Sequence, residues 1–260
     1  MKLKIYQIDA FTKTIFGGNP AAVVPLESWL DDAVMQKIAE ENNLSETAFF
    51  APEGGGFGLR WFTPVSEVRL CGHATLASAF ALFEILGFSG DTVAFETKSG
   101  ALTVAKEANG RLCMDFPMES MMPCDAPTRM IEATNATLLE TFVGMDYIAV
   151  LGSEREVLEL KPDFAKLKEL DGRGVIITAR GETSDFVSRF FAPKYGIDED
   201  PVTGSAHCAL APYWGKKLGK TTLNAKQLSR RGGEIECELK ADRVTLKGYA
   251  AKYMSGEIEI

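Results

Sequence analysis

The sequence predicts an α+β protein of two similar domains, each a curved, barrel-like, mostly antiparallel sheet wrapped around a central apolar helix. Two observations lead to this fold class. EVRLCGHA, beginning at Glu67, and EDPVTGSA, beginning at Glu199, share glutamate, an aliphatic residue, glycine and alanine at matching positions. Each copy also runs into an apolar, helix-like segment and lies among short runs of β-branched and aromatic residues, which favour strands.

The surroundings of the two motifs repeat as well. RWFTP precedes the first copy and RFFAP precedes the second. Each copy is followed by a hairpin-like pair of strands, with turns at Asn109-Gly110, a type I′ signal, and near Ala241-Asp242. The repeat spans about half the chain, so it is too long for a solenoid, whose periods are roughly 20–50 residues. We interpret it as a duplication of one α+β domain.

The remaining elements follow from local patterns. Five segments of the first half read as strands: KIYQIDAF, AAVVPL, ETAFFA, GLRWFTP and DTVAFET. Ser28 and Asp31 form a capping box that predicts a helix towards Asn43. In the second half, Ser153 is a candidate helix cap, and Pro162 suits the first position of another helix.

The segments that follow the two motifs are apolar on nearly every side. ATLASAFALFEILG, residues 74–87, carries one charge, Glu84, and AHCALAPYWGKKLG, residues 206–219, begins in the same way. A helix that is apolar all round is buried all round. A sheet curled around each helix satisfies this requirement and places the amino end of the helix at one end of its domain.

Proline-rich sequence marks the boundary between the halves. PMESMMPCDAPT, residues 117–128, contains three prolines. We therefore predict domains at 1–120 and 130–260, with the final strand free to return to the first domain.

Composition excludes several classes of protein. The net charge of −8 argues against a nucleic-acid partner. No apolar run reaches bilayer length and the first residues carry no signal-peptide pattern, so we expect no membrane partner and a cytoplasmic location. Five widely spaced cysteines and two histidines lack the spacing of a disulfide framework or a zinc site. Nucleotide-binding glycine motifs are also missing, so we expect neither a metal nor a cofactor.

The two helix starts are candidate binding sites. A helix start presents unpaired N–H groups, and glycine there, Gly72 and Gly204, lets a ligand approach the backbone. Two such starts could hold a carboxylate, or His73 and Ser205 could simply cap their own helices. His73 in one half and Asp200 in the other could divide acid and base roles on a substrate held between them.

Glu46, in LSETAFF, stands where a turn enters a strand that should be buried. A carboxylate at a strand start is usually solvated. In a closed cleft, desolvation would raise its pKa and make it a proton carrier near neutral pH.

At these residues the chain resembles the PhzF family, the phenazine-biosynthesis-like proteins, whose fold is that of diaminopimelate epimerase. The resemblance rests on IDAFTKTIFGGNPAAVV, LSETAFF, RWFTP with EVRLCGHATLASA, and IDEDPVTGSAHCAL, and spans essentially the whole chain. It implies a cofactor-independent isomerase that moves a proton on a small carboxylate-bearing substrate in the cleft between two domains. It also favours a homodimer.

The family's functional residues map onto this sequence. The resemblance implies catalytic roles for Glu46, His73 and Asp200. It implies substrate-binding roles for Asn19, Ser45, Gly72, Gly204 and Ser205.

Two departures from the epimerases affect the mechanism. Those enzymes use a thiol at each helix start, whereas this chain has Cys71 at the first and Thr203 at the second. A threonine hydroxyl is too weak an acid to replace a thiol, so a two-thiol mechanism is not supported. One alternative is a one-thiol amino or hydroxy acid racemase or epimerase that uses Cys71, whose pKa a helix start would lower. Cys71 could instead be a small buried apolar residue. A further alternative is a non-catalytic small-anion binding or interaction protein.

Overall fold

The computed structural model describes residues 1–260, which form two compact units. Unit 1 consists of Met1–Asp115 with Lys247–Ile260, and unit 2 of Phe116–Leu246. The last strand therefore packs with unit 1, and the division between Asp115 and Phe116 falls just before the proline-rich segment 117–128. None of the helices has the length and apolar character required to cross a membrane.

Unit 1 contains two main helices and nine strands, one of which, Leu112–Pro117, runs two residues past the boundary of the unit. The helices are α1 (Asp32–Asn42) and α2 (Gly72–Phe80), the latter extended by a π-helical turn (Ala81–Ile85). The strands are β1 (Lys2–Ala10), β2 (Asn19–Pro25), β3 (Glu46–Glu53), β4 (Gly56–Phe62), β5 (Glu67–Val68), β6 (Thr92–Thr97), β7 (Gly100–Lys106), β8 (Leu112–Pro117), and the last one of the chain, Ala250–Glu259.

Unit 2 repeats this alternation. Its strands are β9 (Met122–Pro123), β10 (Glu140–Val143), β11 (Tyr147–Val150), β12 (Val175–Arg180), β13 (Phe186–Ala192), β14 (Ile197–Asp200), β15 (Thr222–Gln227), β16 (Gly233–Lys240) and β17 (Arg243–Gly248), so the last strand of unit 1 is β18. Its helices are α3 (Thr128–Thr134), α4 (Glu154–Glu159), α5 (Phe164–Leu167) and α6 (Gly204–Leu218).

The two units share one order of strand pairing. In unit 1, β1–β2 is antiparallel, β2–β3 parallel, β3–β4 and β4–β5 antiparallel, β4–β6 parallel and β6–β7 antiparallel. In unit 2 the pairs β10–β11, β11–β12, β12–β13, β13–β14, β13–β15 and β15–β16 follow in the same directions. The duplication seen in the sequence is therefore also a duplication of topology.

The helix that follows each motif is buried as its composition requires. In α2 every residue from His73 to Ala79 is buried. In α6 the buried residues include Ala206 to Ala211 without interruption. Both helices end where glycine allows a left-handed conformation, at Gly87 (φ 72°) and Gly219 (φ 67°).

Amphipathic helices cover the other side of the strands. Helix α1 buries Met35, Ile38 and Ala39 in a cluster with residues of β1 to β4. In unit 2 the short helices α3, α4 and α5 supply Met130, Val157 and Leu167 to a second cluster. Packing, rather than helix propensity, stabilises such short helices.

Several local predictions are wrong in detail. The cap of α1 is Asp31, whose carboxylate accepts from Ala33 N, and not Ser28. Helix α5 begins at Phe164 behind an Asp163 cap, two residues after Pro162. The hairpin at Asn109-Gly110 is present, but only Gly110 has positive φ, so the turn is not type I′. The proline-rich boundary segment contains the short strand β9, and α3 begins at its end.

Candidate active site

Glu46 and His73 meet in unit 1. Glu46 is the first residue of β3, and His73 is the second residue of α2. The imidazole Nε2 lies 3.3 Å from Glu46 Oε2, and the His73 and Glu46 side chains are 6% and 14% exposed, respectively. The contact has ion-pair distance without the alignment of a hydrogen bond. Burial lowers the pKa of His73 to about 3, so the carboxyl group faces a neutral imidazole at neutral pH.

The other imidazole nitrogen faces Asn19 and Cys71. Asn19 Nδ2 is 3.2 Å from His73 Nδ1, and Cys71 Sγ is 3.5 Å from the same nitrogen. With the Asn19 amide as donor, Nδ1 is an acceptor and the ring proton resides on Nε2, towards Glu46. Cys71 is buried, but it contacts the site rather than only apolar core.

The local sequence fixes these positions. Asn19 and Glu46 lie on adjacent parallel strands, because Ala21 on β2 is in register with Glu46 on β3. Gly18 precedes Asn19 with φ 64°, and a Cβ there would lie 2.1 Å from a backbone carbonyl oxygen. Only glycine therefore fits immediately before Asn19.

A bidentate ion pair anchors the strand that leads into α2. Arg60 Nε and Nη2 each donate to Glu67 at 2.8 Å. Unit 2 has the same arrangement, in which Arg189 donates from Nε to Glu199 at 2.7 Å and from Nη2 at 3.0 Å. These glutamates open the two repeated motifs, so the repeat includes the ion pair that holds each motif to its neighbouring strand.

Glu46, Cys71 and His73 are also the three residues that could hold a metal ion, because their ligand atoms lie within 4.8 Å of one another. The arrangement suits proton movement better. Cys71 lies nearest to Nδ1 and Glu46 nearest to Nε2, whereas an imidazole binds a metal through one nitrogen in the ring plane.

Asp200 is the centre of a second polar cluster, in unit 2. It is 8% exposed, and its carboxylate accepts a hydrogen bond from the Thr203 hydroxyl. Gln227 braces this turn, since its Nε2 donates to Asp200 O at 2.8 Å and its Oε1 accepts from Thr203 N at 2.8 Å. The carboxylate is thus fixed just before the start of α6.

Ser205 is bound to the arginine of an ion pair whose carboxylate is buried. Arg173 Nη2 donates to Ser205 Oγ at 2.8 Å, and Arg173 Nε donates to Asp146 Oδ1 at 2.9 Å. Ser205, Arg173 and Asp146 line one small recess together with residues 119–121 and 144–145.

Neither helix start is capped by a side chain. The N-cap residues of α2 and α6 are Cys71 and Thr203, and neither accepts a side-chain hydrogen bond from its helix. The interpretation of His73 and Ser205 as simple helix caps is wrong, because their polar atoms contact Asn19, Glu46 and Arg173 instead. No cap side chain therefore occupies the first N–H groups of either helix, which a ligand could bind.

The predicted site residues thus form two groups. Unit 1 holds Asn19, Glu46, His73 and Cys71 in contact, with Ser45 adjacent to Glu46 in the chain and Gly72 as the first residue of α2. Unit 2 holds Asp200, Gly204 and Ser205 around the start of α6. That both groups act on one substrate stays a prediction.

Sequence reasoning missed Arg173, Asp146 and Gln227. The only signal for Arg173 was a charged residue between two glycines, in DGRGV, directly before an apolar strand. Gln227 carried no signal, since a glutamine at the end of a strand is usually exposed, whereas this one is 1% exposed.

Comparison with known proteins gives one consistent family. A family model described as phenazine biosynthesis-like protein, PhzC-PhzF, matches residues 8–256. A Pseudomonas aeruginosa protein named as an uncharacterized isomerase is 50% identical over 260 residues, covering 100% of both chains. The crystal structure of a PhzF-family phenazine biosynthesis protein from Enterococcus faecalis has a TM-score of 0.97 at 48% identity, covering 100% of both chains.

More distant structures share the fold alone. A hydroxyproline epimerase from Agrobacterium vitis has a TM-score of 0.65 at 9% identity, covering 99% of this chain and 92% of its own. These findings agree with the resemblance seen in the sequence.

Proposed function

Because the chain belongs to the PhzC-PhzF family of phenazine biosynthesis-like proteins and is an isomerase, we propose that it moves a proton on a small carboxylate-bearing substrate by general acid–base catalysis without a cofactor. The observation that carries this proposal is the contact of Glu46 with a buried, neutral His73. A carboxylate at the start of a buried strand, beside an imidazole held by the Asn19 amide, is a proton carrier in a fixed position.

In this mechanism the Glu46 carboxylate removes a proton from a carbon next to an activating group of the substrate. The electron pair of that C–H bond moves into the activating group, and Glu46 becomes a carboxylic acid. It then returns the proton to another position, so the substrate is isomerised and no atom is gained or lost. His73 keeps its ring proton on Nε2 and orients the Glu46 oxygen, and the contact tightens when substrate excludes water.

The start of α6 would bind the substrate carboxylate. Its first N–H groups lack a side-chain cap, and the Ser205 hydroxyl adds a donor. Backbone donors at a helix start stabilise negative charge as it develops. Asp200 beside the Thr203 hydroxyl would orient the substrate or exchange a second proton.

Deuterium exchange tests this proposal. A panel of small amino and hydroxy carboxylic acids is incubated with the protein in deuterated water, and incorporation at carbon is followed by NMR. Glu46→Gln should slow exchange by roughly 10²–10⁴-fold. Glu53→Gln, at the exposed far end of the same strand, is the matched control and should leave exchange unchanged. A Glu46→Gln protein with the wild-type rate would refute the assignment.

The participation of both units is tested separately. If they act on one substrate, Asp200→Asn should slow exchange of the same hydrogen that Glu46→Gln affects. Exchange that depends on Glu46 but not on Asp200 would confine the chemistry to unit 1.

One observation favours a second mechanism. Cys71 Sγ lies 3.5 Å from His73 Nδ1, so a thiol is within reach of the same imidazole. A one-thiol racemase or epimerase would invert the substrate carbon and lose activity on Cys71→Ser. Retention of exchange in Cys71→Ser together with its loss in Glu46→Gln would decide for the carboxylate mechanism.

The interpretation as a non-catalytic binding protein is not supported, because a relative that matches this chain along its full length is named an isomerase. The barrel-like wrapping of each sheet around its helix, the homodimer and the cytoplasmic location stay predictions. The assembly is tested by light scattering of the purified protein.

A further inference from the structure

Arg173 connects a buried carboxylate to the predicted substrate-binding serine. It lies between Gly172 and Gly174, just before β12, and its side chain is 34% exposed. Its Nε and Nη2 both donate to Asp146, whose side chain is only 4% exposed. Nη2 also donates to Ser205 Oγ at 2.8 Å. The planar guanidinium of Arg173 thus connects Asp146, 27 positions away in the chain, with Ser205, 32 positions away.

The donor and acceptor roles in this chain of bonds are fixed. A guanidinium can only donate, so the two hydrogens of Nη2 are directed at Asp146 and at Ser205. Ser205 Oγ is therefore an acceptor towards Arg173, and its own hydrogen is free to point elsewhere. The bidentate contact with Asp146 holds the plane of the guanidinium, and the Phe190 ring lies 5.3 Å from its central carbon.

Arg173 stays protonated. Burial opposes the charged form, but the hydrogen bonds and charge of Asp146, with the charges of Asp200 and Glu119, raise its pKa above the usual value. A permanent cation in contact with Ser205 lowers the cost of placing a carboxylate at this helix start, among three protein carboxylates that would otherwise repel it.

We infer that Arg173 is a positioning residue of the carboxylate site: it fixes Ser205 so that the hydroxyl hydrogen points at the bound carboxylate. The inference rests on the function proposed above, in which Ser205 binds that group. If Arg173 served only to balance Asp146, its third hydrogen bond, to a residue at the start of α6, would be incidental.

A double-mutant cycle with acetate as the probe tests the coupling. Acetate affinity is measured by amide NMR shifts in wild-type protein, Arg173→Lys, Ser205→Ala and the double variant. Lysine keeps the charge but cannot hold Asp146 and Ser205 at once. Each single variant should weaken binding by about tenfold, the equivalent of roughly 1.4 kcal/mol, and the double variant should bind no more weakly than Ser205→Ala.

Arg189→Lys is the matched control. Arg189 forms the same bidentate contact in the same unit, with Glu199, but makes no bond to Ser205. In the double variant Arg189→Lys/Ser205→Ala, the fold-loss of acetate affinity should equal the product of the two single fold-losses. The inference would be overturned if the fold-losses of Arg173→Lys and Ser205→Ala also multiplied in their double variant.

A measurement without ligand tests the hydrogen bond between Arg173 and Ser205 directly. The guanidinium ¹⁵N–¹H signals of Arg173 should shift and exchange faster with water in Ser205→Ala; unchanged signals would also overturn the inference. The inference would also be overturned if the wild-type protein did not bind acetate. Failure of the proposed reaction is a separate result: the substrate would show no deuterium exchange, or Glu46→Gln would not slow that exchange.

Discussion

Lowering the pH from 7 to 5 should destabilise this protein through His207, a side chain outside the proposed chemistry. His207 lies in the first turns of α6 and is 0% exposed. Its Nδ1 donates to Thr203 O at 2.8 Å, and its ring centroid lies 5.7 Å from that of Phe186. Burial is the main cause that lowers its pKa to about 4, against the opposing effect of the Thr203 hydrogen bond.

The magnitude follows from proton linkage. An unfolded histidine has a pKa of about 6.5, so below that pH the unfolded chain binds a proton that the folded chain excludes. The free energy of unfolding then falls as the pH falls, by up to roughly 1.4 kcal/mol per pH unit, until the folded pKa is reached. With a folded pKa of about 4, His207 should cost about 2 kcal/mol between pH 7 and pH 5.

Urea unfolding of wild-type protein and His207→Asn at pH 7, 6 and 5 isolates this effect. Asparagine keeps a donor near the position of Nδ1 but does not titrate. His73, whose burial lowers its pKa in the same way, is present in both proteins, so its effect cancels in the difference. The stability of the wild type should approach or fall below that of the variant as the pH decreases. Parallel curves would refute the reasoning, because they would show that His207 is protonated in the folded protein.

Two further predictions concern the supports of the site. Glu67→Gln should lower the free energy of unfolding by roughly 2 kcal/mol, because Arg60 loses its bidentate partner and keeps only the exposed Asp32. Arg155→Met, which breaks a well-exposed ion pair, should cost less than about 1 kcal/mol in the same urea titration. Gly18→Ala should cost more than Gly87→Ala, since both have positive φ but only Gly18 has no room for a Cβ. Strain alone accounts for about 1 kcal/mol at Gly87, and equal melting temperatures for the two variants would contradict the steric argument.

Features governed by local chemistry were predictable. The apolar sequence of α2 and of the first half of α6 indicated burial on all sides, and Gly87 and Gly219 indicated where the helices end. Ser153 caps α4 as predicted, with Glu156 N as the donor to its hydroxyl. Such patterns depend on a few neighbouring residues, so the sequence carries them directly.

Features governed by distant contacts were not predictable. The motifs brought Glu46 and His73 to attention, but nothing in the sequence showed that Asn19 and Cys71 share one imidazole nitrogen. The bonds from Arg173 join two loops and the start of α6, and their partners depend on the register of β11 with β12. The same limit explains α3, which begins right after the prolines that marked the boundary between the halves and is held by the packing of Met130.

The return of the last strand makes the two units unequal during synthesis. Unit 2 is one continuous segment, Phe116–Leu246, inserted into unit 1. Strand β18 pairs along nearly the whole of β1, from Lys2 with Glu259 to Ala10 with Ala250. All of unit 2 therefore precedes the strand that completes the sheet of unit 1. Until β18 has left the ribosome, one edge of β1 stays unpaired, and we expect aggregation or chaperone binding to begin at that edge.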